Sequence, residues 1–469
     1  MRSDISIAQI FVELENADLL PAIVFRTSRD QCDRDVMQAG RNQRLEFSRT
    51  DKAALLAKVQ EFARSSEIDL DLITSHPQYE SLVQAGVGAH HAGQLLVWRL
   101  LLEELMSAGL LRILIATGTV AAGVDFPART VVITAHSKRG SEGFQKLTAA
   151  EFQQMSGRAG RRGKDTVGFC VIAPTPYCDA RQLSRVARRA AEPLKSSYFP
   201  GPSSVLNLLR YRNVDDLEFT VDRSLASFLD RQQAKDLEAE AERARGARQT
   251  DLTSQHKKKL EKRANRLDRE AAELKTKQQE LLQIAIRGLQ NLGFIEGLTL
   301  SEKGYWSSNL CTSLVLELAE LIEAKVLQDA SPEYLAALVG AITGDSRRGY
   351  LEPKSRAISD KDLETLSAIV ARVQAENLPG VSSERVASES AAYTVMLWMQ
   401  AENWNVFRGY LFLNGVAEGD AARLITQTAD QLNQLTRLYE SHPMLAQRAE
   451  EAKRKILRPP LSDAISTDI

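Results

Sequence analysis

Three arginines stand among small residues in the segment QMSGRAGRRG, residues 154–163. A planar guanidinium stays charged and can form two parallel hydrogen bonds to a phosphate. Thr148 and Glu151 have the spacing of a capping box, which predicts a helix start there. Arg158 and Arg161, three residues apart, should then share one helix face and act as arginine fingers on a transferring phosphoryl group. The alternative is a basic helix end that is solvated or binds RNA.

A second group of candidate residues follows an apolar run in ATGTVAAGVDFPARTVV, residues 116–132. Thr117 ends the predicted strand, Gly118 and Gly123 permit tight turns, and Asp125 could accept a hydrogen bond from a ribose hydroxyl. Ligands of doubly wound sheets bind at the carboxyl ends of the strands. The alternative is an ordinary turn with an aspartate cap.

Two upstream segments have the same character. VGAHHAG, residues 87–93, precedes a helix, so its backbone amides and His90 or His91 could meet a phosphate. Thr27 and Ser28 follow an apolar run and open another helix. Locally satisfied histidines and simple helix capping are the alternatives.

Short apolar runs rich in β-branched residues predict the strands that position these groups. The runs are AIVF (22–25), RILIAT (112–117), TVVIT (130–134) and GFCVIA (168–173). They are apolar on both faces, which is typical of buried parallel strands. Amphipathic segments between them, such as residues 95–109 with their terminal glycine, predict helices that cover the sheet.

Beyond about residue 180 the pattern becomes helical. Residues 230–283 are highly charged and lack proline, and we predict two antiparallel helices that turn near 246–254. Residues 284–306 predict a helix, a turn and a short β-wing, and residues 309–345 and 360–455 are mostly helical.

Composition excludes several classes of protein. With 60 Lys+Arg and 61 Asp+Glu, the formal net charge of −1 excludes a uniformly basic nucleic-acid-binding protein. The four cysteines lack metal-ligand spacing, which favours free thiols in a reducing cytosol. No apolar run reaches the length of a signal peptide or a membrane span, so we expect a cytoplasmic protein.

Taken in order, the four segments resemble motifs IV, IVa, V and VI of the second RecA-like domain of superfamily 2 helicases. The resemblance is closest to the superkiller/antiviral class of DExH-box RNA helicases, which includes exosome-associated members. QMSGRAGRRG is a specific signature of that class, and FPARTVVI and HHAG add to it. SSVLNLLRYRN, LGFIEGLTLSEKG and WNVFRGYLFLNGVAEGD resemble the family's winged helix and C-terminal bundle, in which an EGD-type turn starts a helix facing the nucleic-acid channel.

The resemblance implies an α/β RecA-like parallel-sheet domain, followed by mostly α-helical winged-helix and bundle domains with a charged hairpin insertion. The implied ranges are 1–178 for the RecA-like domain, 179–229 with 284–308 for the winged helix, 230–283 for the hairpin, and 309–469 for the bundle.

The resemblance also implies roles for individual residues. Arg158 and Arg161 would be the arginine fingers; Gln154, Gly123 and Asp125 would line the nucleotide; and Thr27, Ser28, Gly88, His90, Gly93 and Thr117 would contact nucleic acid. Gly118 departs from the family pattern, which often has an acid there, and this could alter coupling between ATP and RNA.

The 469 residues contain no GxxxxGK[ST] motif and no DExH or DExD box, which in this family hold ATP and Mg²⁺. We therefore expect the C-terminal half of an ATP-dependent RNA or other nucleic-acid helicase. It would supply fingers and part of the single-strand channel, and would need a separate first RecA-like domain for hydrolysis. The alternative is a helicase-derived module without catalytic activity that binds nucleic acid or has a regulatory role.

Overall fold

The predicted parallel sheet is present. The computed structural model describes residues 5–118, 120–123, 127–140, 143–173, 175–247 and 254–462. In this part of the chain, five strands pair in parallel in the order β2-β3-β1-β4-β7. The chain divides into two compact units: Met1–Pro193 with Ala401–Arg423 and Arg458–Ile469, and Leu194–Gln400 with Leu424–Leu457. This division differs from the four predicted domains, whose boundaries stay a prediction.

In the first unit, helices separate most of the sheet strands along the chain. The elements are α1 (Ile7–Asn16), β1 (Ala22–Phe25), α2 (Arg29–Gly40), a 3₁₀ turn (Gln43–Leu45), α3 (Arg49–Ser65), α4 (Leu70–Thr74), α5 (Tyr79–Ala85), β2 (Val87–His90), α6 (Leu96–Ser107), β3 (Ile113–Ala116), α7 (Val120–Gly123), β4 (Thr130–Ile133), β5 (Ser137–Gly140), β6 (Gly143–Lys146), α8 (Ala149–Ser156), β7 (Phe169–Ile172) and α9 (Ala180–Ala187).

The central strands are buried on both faces because helices cover both. Val24 and Ile113 belong to a core cluster that includes Phe11 of α1 and Val36 of α2. On the opposite face, α6 approaches so closely that a Cβ added at Gly88 would lie 2.4 Å from a methyl carbon of Leu102. The double-sided burial explains why these strands are continuous apolar runs.

Three features of this unit differ from the prediction. β2 is a fifth sheet strand within residues 87–93, for which we predicted a following helix but no strand. β5 and β6 form an antiparallel hairpin that the polar sequence did not indicate. β7 is an edge strand rather than a buried one, and Phe169 is 39% exposed.

The second unit is mostly helical, as predicted. Its elements are α10 (Pro202–Leu209), α11 (Val214–Asp222), α12 (Leu225–Ala247), α13 (Ser254–Asn291), β8 (Ile295–Glu296), β9 (Thr299–Leu300), α14 (Glu302–Ser307), α15 (Val315–Glu323), α16 (Pro332–Thr343), α17 (Asp360–Ala375), α18 (Glu389–Gln400) and α21 (Pro443–Ile456). Helix α19 (Trp404–Leu413) belongs to the first unit, and α20 (Glu418–Thr436) begins in the first unit and continues into the second. Among the described residues, no helix is both long and apolar enough to cross a membrane.

The charged segment forms the predicted antiparallel helical pair. Arg245, close to the end of α12, pairs with Asp268, and Glu238, earlier in α12, pairs with Lys275, later in α13. Small residues such as Ala241 and Ala264 are fully buried between the helices. The helices extend beyond 230–283, because α12 begins at Leu225 and α13 ends at Asn291.

Candidate functional site

The arginine segment follows the end of helix α8. The predicted capping box is present, with Thr148 accepting from the backbone N–H of Glu151. Helix α8 ends at Ser156, however, so Arg158 and Arg161 lie beyond it. The prediction that the two arginines share one helix face is therefore wrong.

Backbone contacts position the segment instead. Ala128 N–H donates to the carbonyl of Arg158 at 3.0 Å, and Gly160 N–H donates to the carbonyl of Ala128 at 2.7 Å. Gly160 has φ of +93°, a backbone region that disfavours other L-residues. Gly168 packs directly beneath, because a Cβ there would lie 2.4 Å from the Ala159 carbonyl oxygen. The glycines thus allow two backbone segments to touch.

Arg158 points to the short helix α7. Its Nε and Nη2 donate to the carbonyl oxygen of Ala121 at 3.2 and 2.9 Å. Gly123, predicted to line the nucleotide, is the last residue of α7, and Asp125 lies outside the described residues. The structure therefore brings Arg158 next to the helix that carries Gly123.

Arg161 is held by a carboxylate that sequence reasoning missed. Its Nε and Nη2 donate to the two oxygens of Asp165 at 2.8 and 2.9 Å, and its backbone N–H also donates to Asp165. The side chain of Asp165 is only 5% exposed. Hydrogen bonding to Arg161 lowers the pKa of Asp165 to about 2. The ion pair is thus intact at neutral pH and would be lost only as pH falls from about 4 toward 2.

Three predicted residues line one cavity of about 370 Å³ at the carboxyl edge of the sheet. Thr27 enters it from the loop after β1, Thr117 from the loop after β3, and Gln154 from α8. The side chains of Lys138 and Glu151, which pair with each other, also line it. Ser28 stands next to Thr27 and caps α2, because its Oγ accepts from Gln31 N–H at 3.2 Å.

Two other predicted nucleic-acid residues are interior. Gly88 is buried against α6, and His90 is 3% exposed, with Nε2 at 2.7 Å from Glu103. Direct contact of the His90 side chain with nucleic acid is inconsistent with that burial. The small size of Gly88 is explained by packing against α6. Gly93 lies in the loop that follows β2, and its backbone N–H donates to Nδ1 of His91 at 3.1 Å.

A polar network of buried side chains joined to the half-exposed Asp33 underlies this loop. Asp33 accepts hydrogen bonds from Nε2 of His91 and from the Gln94 amide, each at 2.9 Å. The amide oxygen of Gln94 accepts from Nε2 of His76 at 2.9 Å, and the backbone N–H of Gln78 donates to Nδ1 of His76. Satisfied networks of this kind rigidify the backbone around them. No spacing in the sequence indicates it, since Asp33 lies more than forty residues before its partners.

His76 should make the first unit sensitive to acid. Burial, together with the nearby charge of Arg408, lowers its pKa to about 3, and its ring stacks on Trp98 at 3.7 Å. Between pH 6.5 and 3 the unfolded chain binds a proton that the folded chain does not, so the free energy of unfolding decreases as the pH is lowered. We expect a loss on the order of 2 kcal/mol in unfolding free energy from pH 7 to 5.

Chemical denaturation at the two pH values measures this loss. The variant His76→Phe keeps a stacking ring without a titrating nitrogen, and should lose that part of the pH dependence. His256→Phe, on the exposed face of α13, is the matched control and should keep it. An unchanged pH dependence in His76→Phe would assign the acid sensitivity to other groups.

Comparison with known proteins agrees with this geometry. Residues 78–163 match the helicase conserved C-terminal domain, and residues 297–463 match the DSHCT (NUC185) domain. Together with the relatives below, these matches support the C-terminal half of a superfamily 2 DExH-box helicase. The probable helicase HelY of Mycobacterium tuberculosis is 33% identical over 221 residues, which are 47% of this chain and 24% of that protein.

Two eukaryotic RNA helicases show similar identity. The human exosome RNA helicase MTR4 is 31% identical over 211 residues, 44% of this chain and 20% of that protein. The ATP-dependent RNA helicase mtr4 of Schizosaccharomyces pombe is 32% identical over 227 residues, 47% of this chain and 20% of that protein. The chain thus spans about a quarter or less of the length of these helicases.

Proposed function

We propose that this chain is the C-terminal part of an ATP-dependent helicase acting on single-stranded nucleic acid. The observation that carries the proposal is the convergence of Thr27, Thr117 and Gln154 on one cavity at the carboxyl edge of the parallel sheet. Arg158 is linked to this cavity through its hydrogen bonds to the carbonyl of Ala121, which also lines it. In this class of motor, ATP binds between two RecA-like domains, and this edge would face the nucleotide and the nucleic-acid strand.

The arginines have the chemistry that a nucleotide phosphate requires. Arg158 donates two hydrogen bonds to a single carbonyl oxygen, and Arg161 donates two to a carboxylate. A phosphate offers the same acceptor geometry with more charge, so either guanidinium could exchange its present partner for it. ATP hydrolysis would supply the energy for movement. We assign no Mg²⁺ ligand to this chain, and expect the P-loop lysine and the magnesium carboxylate to come from a first RecA-like domain.

RNA is the proposed substrate because two of the similar proteins are named RNA helicases. Thr27, Thr117 and the backbone of Ala92, the half-buried residue of the loop at 91–94, are the proposed contacts. These groups can bind a sugar–phosphate backbone without reading bases. The winged helix, the bundle and the cytoplasmic location stay predictions.

Reconstitution tests the proposal. The purified chain should show background ATP turnover alone. Added to a first RecA-like domain that carries a P-loop and a DExH box, it should give ATPase activity that rises with single-stranded RNA. RNA binding without stimulation by any such domain would favour the non-catalytic module. High turnover by the chain alone, abolished by Arg161→Ala, would show that it carries a complete active site.

A further inference from the structure

The turn Glu418–Gly419–Asp420, which begins α20, packs against two loops of the part of the first unit that contains the parallel sheet, called the sheet domain below. These are loop 26–29 after β1 and loop 91–94 after β2. The backbone N–H of Gly419 donates to the carbonyl of Gly93 at 3.0 Å. The first four N–H groups of a helix have no partner within it. The Gly93 carbonyl therefore satisfies one of these groups at the start of α20.

Only glycine fits at the centre of this turn. A Cβ added at Gly419 would lie 2.4 Å from the carbonyl oxygen of Ala92 and 2.7 Å from that of Gln94. Both obstacles are backbone atoms of loop 91–94, so they could yield only if the loop moved. The turn is thus seated directly on that loop.

Asp420 joins the turn to the second loop. Its two oxygens accept from Nη1 of Arg29 at 3.0 and 2.8 Å, and its side chain is 12% exposed. Arg29 is the first residue of α2, directly after Ser28. A Cβ at Gly93 would lie 3.2 Å from Cδ of Arg29, so the two loops meet at this point.

The turn is anchored from behind by Arg408 of α19. Glu418 forms an ion pair with Arg408 at 2.7 Å and accepts from Nε1 of Trp404 at 2.9 Å. Arg408 is 7% exposed, and donates to the carbonyl of Leu72 at 3.0 Å and to Oγ of Ser75 at 2.7 Å. A buried arginine with these partners fixes the turn on the sheet domain.

We propose that the 418–420 turn is a positioning element that holds loops 26–29 and 91–94 in the shape that binds nucleic acid. Gly419 and Asp420 are the positioning residues. They act through Gly93 and Arg29, which flank the proposed contacts in the sheet domain. That the ligand is a nucleic acid rests on the proposed function, whereas the positioning of the two loops by the turn does not depend on it.

The test uses the full chain and two readouts. Fluorescence anisotropy measures affinity for a labelled oligouridylate of roughly 12 nucleotides, a length within typical single-strand sites. Hydrogen exchange measures opening of the backbone at 26–29 and 88–94. The variants are Gly419→Ala, Asp420→Asn and the conservative Asp420→Glu. The control is Gly409→Ala in α19, where an added Cβ meets no atom within 4 Å.

We expect Gly419→Ala and Asp420→Asn to weaken binding about tenfold and to speed exchange in both loops. Asp420→Glu should recover most of the affinity, and Gly409→Ala should match the wild type. Melting temperatures identify any variant that fails to fold. If Gly419→Ala fails to fold, the isosteric Asp420→Asn variant still tests the proposal.

The outcomes separate the two proposals. Wild-type affinity and exchange in a folded Asp420→Asn variant would overturn the positioning role. If the wild-type chain does not bind the oligouridylate, nucleic-acid binding by this chain fails, and exchange alone decides. Faster exchange in both loops would still support positioning, and unchanged exchange would refute it.

Discussion

Replacing Arg161 with alanine should lower RNA-stimulated kcat by about 10³-fold, because a finger that stabilises a transferring phosphoryl group contributes at least this much. The KM for ATP should change much less, since the contact strengthens in the transition state. Steady-state ATPase assays of the reconstituted motor measure both constants. Arg162→Ala is the matched control, because Arg162 is an exposed neighbour of the same residue type; its kcat should stay within about twofold of the wild type.

The pair with Asp165 gives this result its structural meaning. A guanidinium held by two hydrogen bonds to a nearly buried carboxylate has few rotamers, so it is kept close to its working position. To contact a phosphate, it must exchange or share Asp165 as its acceptor. A kcat within a few fold of the wild type in Arg161→Ala would contradict the finger assignment and leave Arg161 as a structural partner of Asp165.

Much of the fold follows from the sequence because the central strands are buried on both faces. Their apolar runs leave no other interpretation, and β1, β3 and β4 lie within one residue of the predicted bounds. β2 was missed because VGAH contains a glycine and a histidine that are buried only by tertiary contacts. The β5–β6 hairpin was missed because SKRG and GFQK have no apolar alternation.

The candidate site was predictable in outline and not in its local geometry. Motif order indicates which loops share the carboxyl edge, but not that α8 stops at Ser156 and leaves the arginines in a turn. Asp165 is a nearby acid with no distinguishing spacing. His76 is neutral because it is buried beside Arg408, which lies more than 300 residues away in the chain. Such long-range contacts have no local signature.

A second large effect is expected from Gly168→Ala, which adds a single methyl group outside the arginine segment. The new Cβ would lie 2.4 Å from the Ala159 carbonyl oxygen and 2.6 Å from the backbone nitrogen of Gly160. Unstrained contacts between such atoms are about 3.5 Å or longer. Because these obstacles are backbone atoms between Arg158 and Arg161, relief requires the arginine segment itself to move. A displacement of about 1 Å at a reacting group can cost on the order of 10²-fold in rate.

We therefore expect Gly168→Ala to lower RNA-stimulated kcat by about 10²-fold while destabilising the fold by only about 1–3 kcal/mol, the usual cost of overpacking. ATPase assays and thermal unfolding of the same samples measure the two effects. Gly349→Ala is the matched control, because an added Cβ there meets no atom within 4 Å. A folded Gly168→Ala variant with wild-type kcat would show that the arginine segment tolerates the shift, and that its backbone position does not set the rate. A low kcat in a stable variant would instead link the rate to the placement of Arg158 and Arg161 by the Ala159–Gly168 contact.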